Sequence, residues 1–134
     1  MNFAGANAIY GNSGTVSTIA AQAAHMENIV AFSAAQTSNV GDDLYDMGAT
    51  TFANAAALTT YLDNPGNALT FASGTVPAGG ASLLFEYEDG SGNAHLALAQ
   101  LANGATDTTA TTAVDIAEFV GVPSTASLHN IHLV

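Results

Sequence analysis

A chain of 134 residues is long enough to bury a core of its own, yet none of its residues is Lys or Arg, while eleven are Asp or Glu, giving a net charge of -11 with His neutral. No carboxylate can be answered by an ordinary salt bridge, so each must be solvated, bonded to backbone N–H groups, placed at a helix N-terminus or neutralised by a bound cation. The missing bases argue against nucleic acid and anionic membrane as partners, the missing Cys excludes disulfides and thiolate metal sites, and no run approaches the ~18 apolar residues of a membrane helix.

The elements, taken in chain order, predict one α+β domain over residues 1–134. Residues 1–14 are small and punctuated by Asn and Gly, which reads as an irregular or extended segment with neither the basic nor the apolar region of a cleaved signal peptide. Val16, Ile19, Ala23, Met26 and Val30 recur at three- and four-residue steps and predict a helix over 15–36. Residues 38–48 read as a loop holding Asp42, Asp43 and Asp46. A second helix is expected over 51–62, with Phe52, Ala55, Ala56, Leu58, Thr59 and Leu62 as its apolar stripe, stopped by Asp63-Asn64-Pro65-Gly66.

The second half turns to strand signals. Residues 68–72 form a short strand candidate. Ser82–Glu88 and Ala94–Leu101 flank the turn Asp89–Asn93, and the alternation of Leu83, Phe85 and Tyr87, with Leu96 and Leu98 on the partner strand, predicts a hairpin with one buried face. Thr106–Thr112 reads as a loop running into a helical turn over 113–120, ended by Pro123. A terminal strand is expected over 128–134, which completes an antiparallel sheet with helices to one side.

The candidate sites are acidic. Asp42, Asp43 and Asp46 repel one another with no base to offset them, so they read either as a Ca2+ site built from oxygen ligands or as a solvated acidic loop; the spacing is not that of an EF-hand. Glu86, Glu88 and Asp89 form a second acidic group at the hairpin, a second candidate for holding a metal ion. Glu86 and Glu88 share a strand face with Ser82 and Leu84, so that face is expected to meet solvent or a partner. His129 and His132 are three apart, which on a strand places them on opposite faces and argues against a zinc pair. His25 reads as solvent-facing and His95 opens the second hairpin strand. Protonated His is the only side-chain cation this chain can offer, so acid creates new His–carboxylate pairs.

Catalysis finds little footing. There is no phosphate-binding Gly-rich loop with its Lys, no Gly-x-Ser-x-Gly elbow, and none of the Arg, Lys or Trp that commonly grip polar substrates. Charged residues make up 8% of the chain against ~25% in an ordinary soluble domain, so most of the surface is small and uncharged and can be buried against another copy at little desolvation cost.

Three stretches carry a family resemblance. Leu83-Leu84-Phe85-Glu86-Tyr87-Glu88-Asp89-Gly90 through His95-Leu96-Ala97-Leu98, then Ile116-Ala117-Glu118-Phe119-Val120-Gly121-Val122, and the apolar end Asn130-Ile131-His132-Leu133-Val134 together resemble the region that follows the repeats in RTX-type bacterial surface proteins. The glycine-aspartate nonapeptide repeat itself is absent from this chain. The resemblance implies type I secretion, without a cleaved N-terminal signal, to the cell surface or the medium. The expected function is a secreted structural protein that assembles with itself, as a homopolymer, into a filament, sheet or matrix. Leu128, Ile131, Leu133 and Val134 and the outer edge of the hairpin are its candidate contacts. The alternatives are a Ca2+-dependent adhesion or binding module and, on the Thr-rich 106–112 segment alone, an ice- or surface-binding protein.

Overall fold

The computed structural model of this chain describes residues 29–38, 44–71, 82–102 and 105–122. Its elements are strand β1 (Ile29–Ala31), strand β2 (Thr37–Ser38), strand β3 (Leu44–Thr51), helix α1 (Ala55–Leu62), and strands β4 (Thr70–Phe71), β5 (Ser82–Glu88), β6 (Ala94–Gln100) and β7 (Thr112–Phe119). Five of the strands make one sheet in the order β1-β3-β5-β6-β7, and β2 pairs with β4 in a small second sheet.

The larger sheet is mixed. β1, β3 and β5 run parallel, with Ile29 beside Leu44 and Leu44 beside Leu84, whereas β5, β6 and β7 run antiparallel. The expectation of an antiparallel sheet therefore holds for the hairpin and its outer neighbour and fails for the first three strands. A run buried on both faces is what a parallel strand needs, and Leu83, Leu84, Phe85, Glu86 and Tyr87 are all buried. That burial also corrects the reading of a hairpin with one wet face. Leu96 stands opposite Glu86 and Leu98 opposite Leu84, so both leucines share the face of Glu86 and Leu84, not that of Phe85 and Tyr87.

The two faces have separate cores. Tyr45, Met47, Leu83, Phe85, Tyr87, Ala97 and Ala99 pack on one face against Phe52, Leu58 and Leu62. Leu44, Leu84 and Leu96 form the core of the other, with Ile29, Leu98, Ile116, Ala117 and Phe119 packed around them. Aromatic contacts tie the first core together: the Tyr45 and Phe85 rings stack at 5.5 Å, and Phe52 meets Tyr87 edge-on at 5.6 Å.

α1 begins where Asn54 caps it, its side-chain oxygen accepting the Ala57 N–H at 3.0 Å, and it buries Ala55, Leu58 and Leu62 on the sheet. It also covers the start of the sheet edge. The Ala113 N–H donates to Thr59 Oγ1 at 2.9 Å and, just before the strand, the Thr111 N–H to Asp63 Oδ1 at 3.3 Å, so α1 and its C-cap residue take up donors at the start of β7 that an incoming strand would use. The hairpin has no open outer edge, because β5 pairs with β3 and β6 with β7. The hairpin edge expected to serve assembly is thus already occupied.

Three further expectations are corrected. The predicted helix over 15–36 gives way from residue 29 onward to β1, a turn and β2, while residues 15–28 lie outside the described residues. Ile29 faces the Leu44 cluster and Val30 the Tyr45 cluster, so this apolar, β-branched run serves both faces of a strand. The loop expected over 38–48 contains the first half of β3. The helical turn expected over 113–120 is β7. The second helix is confirmed in kind but starts at Ala55, since Thr51 closes β3. The strand expected over 128–134, with Leu128, Ile131, Leu133 and Val134, lies outside the described residues, as do residues 1–14, His25, His129 and His132.

Candidate metal centre

At the turn end of the hairpin, four polar side chains converge on one face of the sheet. Tyr87 on β5 stands opposite His95 on β6, and His95 stands opposite Glu118 on β7. Ordinary strand alternation would put Asp115 and Glu118, three apart, on opposite faces. A β-bulge prevents this: Leu96 pairs with Ala117 and Ala97 with Asp115, leaving Ile116 as the extra residue. Both carboxylates consequently belong to the His95 face.

The turn supplies the third carboxylate. Asp89 accepts the Ser91 N–H at 2.7 Å and the Asn93 N–H at 2.9 Å through Oδ1, and the Asn93 side-chain amide at 2.9 Å through Oδ2. Gly92 turns the backbone here with φ +82°. The Asn93 backbone N–H, the Asn93 amide and the Ser91 N–H hold the Asp89 carboxyl down at about 2, so it is an anion at any ordinary pH.

His95 sits among these acids, only 8% exposed, and its ring stacks on that of Tyr87 at 4.9 Å with 7° between the planes. Nε2 lies 3.5 Å from Asp89 Oδ2 and Nδ1 lies 3.8 Å from Asp115 Oδ1, and neither nitrogen has a hydrogen-bond partner among the described residues. Asp115 is fixed in turn, accepting the Tyr87 hydroxyl at 2.7 Å through Oδ1 and the N–H of Ala55 at 3.3 Å through Oδ2. Burial first, and the bond to Asp115 second, push the Tyr87 hydroxyl far above the ordinary phenol range, so it remains a donor. One ligand atom each from Asp89, His95 and Glu118 falls within 4.8 Å of the others. In a chain without Lys or Arg, this set has the composition and spacing to hold a cation.

The acids singled out in the sequence are redistributed. Asp42 and Asp43 lie outside the described residues. Asp46 is on β3, directly beside Glu86 on β5, so the two acidic groups meet across a parallel pair. Glu86 is wholly buried within the chain, and neither of its carboxylate oxygens has a hydrogen-bond partner among the described residues, which overturns the expectation that Glu86 faces solvent or a partner. Glu88 pairs with Thr51 on β3 and with Ala94 on β6, apart from the His95 cluster. Only Asp89 joins it. Asp115 and Glu118 were missed because a helical reading of 113–120 separates them from His95. The signal that finds them is the shift from a two-residue to a three-residue step between Ala113, Asp115 and Glu118.

Comparison with protein-family models, with curated proteins and with solved structures finds no match to this chain. Among the described residues, no helix is long and apolar enough to cross a membrane.

Proposed function

We propose that this chain is a structural module of a bacterial cell-surface protein, exported by the type I route, that associates with further copies of itself. The observation that carries this reading is the apolar patch on the sheet face turned away from α1. Leu98, Ile116 and Phe119 are only partly buried there, and Val114, the cross-strand partner of Leu98, is 52% exposed. These four side chains bring no charge to an interface. The wider surface brings no Lys or Arg, so among side chains only a protonated His on a second copy can form a salt bridge with its carboxylates. Contact through a neutral apolar face is the association such a surface allows, and it grows stronger as salt screens the repulsion between acidic copies.

Static light scattering after size exclusion, with negative-stain microscopy, tests this. The wild-type chain is expected to form oligomers or larger assemblies. Val114→Glu is expected to be monomeric, and Thr60→Glu, which adds the same charge on the exposed side of α1, is expected to assemble. A monomeric wild type, or assembly that survives Val114→Glu, overturns the reading.

A Ca2+-dependent binding module is the second reading. It is favoured by the juxtaposition of Asp46 and Glu86, whose mutual repulsion a hard cation relieves. Under this reading Ca2+ raises the melting temperature of the wild type but not of Glu86→Gln; no rise in the wild type excludes it.

A further inference from the structure

We propose that Asp89, His95 and Glu118 bind a divalent transition ion of the zinc class, distinct from any calcium site, and that the ion fastens the edge strand β7 to the turn of the hairpin. This inference does not rest on self-association.

The donor set selects the class of ion. One imidazole nitrogen with two carboxylates suits Zn2+ and its neighbours, whereas Ca2+ takes six to eight oxygens. The spacing agrees. His95 Nε2 and Asp89 Oδ2 are 3.5 Å apart, too far for a good hydrogen bond. That separation is close to the edge of a tetrahedron of ligands around zinc, about 3.4 Å for bonds of about 2.1 Å. Glu118 is exposed and stands directly opposite His95, so its carboxylate swings in at little cost.

The surroundings of the site support the same assignment. Asp89 is held in position by three N–H···O bonds within the turn and needs no rearrangement to serve as a ligand. His95 is buried with both nitrogens unanswered, a costly state for a polar ring unless something other than a protein donor or acceptor meets it. Asp115 stands on the Nδ1 side at 3.8 Å, beyond hydrogen-bond reach as the ring stands, and takes the proton of that second nitrogen only after the ring shifts toward it on binding. Tyr87 and the N-terminus of α1 hold Asp115 in that place. No Lys or Arg exists to fill the site instead. The three ligands come from the β5–β6 turn, β6 and β7, so binding locks the outer strand to the hairpin, and the remaining coordination position is left to water or another ligand.

The purified full chain, stripped with chelator, is titrated with Zn2+ by calorimetry and by thermal melts. One ion per chain is expected, with a rise in melting temperature on the order of 5 °C or more at saturation. Glu118→Gln is expected to lose most of that rise and to weaken binding at least about tenfold, in line with the loss of a ligand. Because Glu118 is exposed, its circular dichroism should match the wild type. His95→Gln should abolish binding, and Glu88→Gln, outside the cluster, should leave it intact. Co2+ gives a readout independent of stability: an intense visible absorption marking low coordination with a nitrogen ligand, present in the wild type and lost in Glu118→Gln. No zinc-dependent change in the wild type, or a change that survives Glu118→Gln and His95→Gln, overturns the site. An equal response to Ca2+, lost in the same two variants, overturns the assignment of the ion.

Discussion

Glu86 lies beside Asp46 on the neighbouring parallel strand, completely buried, with no hydrogen bond from any described residue to either carboxylate oxygen. Leu96 is its cross-strand partner on the other side, so no base and no donor compensates an ionised Glu86 from either neighbouring strand. Burial first, and the charge of Asp46 second, push its carboxyl from 4.5 up to about 7. A raised acid is most favourable to folding when protonated. Below pH 4.5 the folded and unfolded chains both carry the proton, and between that value and about 7 only the unfolded chain loses it, so stability falls across that window. Above it both states are ionised and the loss is complete, on the order of 3 kcal/mol. Thermal melts at about pH 5 and about pH 8 are expected to show the wild type more stable in acid. In Glu86→Gln this contribution to the pH dependence disappears; an unchanged slope would show that Glu86 is not its source.

Gly48 interrupts β3 with φ +59°, and its N–H donates to Asp46 Oδ1 at 2.7 Å. The pairing of β3 with β5 slips at this point: Asp46 is beside Glu86, but the next pair is Thr51 with Glu88. A Cβ at Gly48 would meet nothing within 4 Å, so the cost of Gly48→Ala is purely that of a left-handed backbone, about 1 kcal/mol. Urea unfolding should show that loss with an unchanged m-value. A neutral effect would mean that the residue does not need this conformation.

Where each local pattern had one cause, the chain could be read directly. The hairpin Ser82–Glu88 with Ala94 onward, and its turn Asp89–Asn93, follow from alternation and a Gly-bearing loop. The helix ending at Leu62 follows from its apolar stripe and the Asp63–Gly66 stop. The readings failed where two causes overlap. Ala113, Ile116, Ala117 and Val120 recur as on a helix, because the bulge at Ile116 breaks the two-residue period of β7. Ile29 and Val30 lack alternation because both faces of β1 pack on apolar cores. The acid–histidine cluster was legible only at Asp89, with His95 placed at the start of its strand but in no site. Its other members arrive through strand pairing, which local periodicity does not encode.

The cap of α1 offers a cleaner test of helix stability than its buried face does. Asn54 accepts the Ala57 N–H through its side chain, and the helix has no acidic residue in its first turn. Asn54→Ala is expected to cost about 1 kcal/mol, and Asn54→Asp to cost little or to stabilise, because a carboxylate caps equally well and complements the helix dipole. Denaturant midpoints of the two variants should move in opposite directions or by clearly different amounts. Equal losses would place the effect outside the cap.

Asp115 joins three elements with one carboxylate. It accepts the Tyr87 hydroxyl from β5 and the Ala55 N–H from the start of α1, while itself belonging to β7. Tyr87→Phe removes one donor and leaves Asp115 its second bond and partial access to water, so a loss of about 1.5 kcal/mol is expected. Asp115→Ala strips both bonds and orphans the buried Tyr87 hydroxyl, for a loss of about 3 kcal/mol. Because the two substitutions share a hydrogen bond, their effects should not add. The double variant is expected to be no less stable than Asp115→Ala alone, since removing the hydroxyl also removes the orphan. Strict additivity in the denaturant midpoints would mean that the Tyr87–Asp115 bond contributes nothing, and that Asp115 acts through α1 alone.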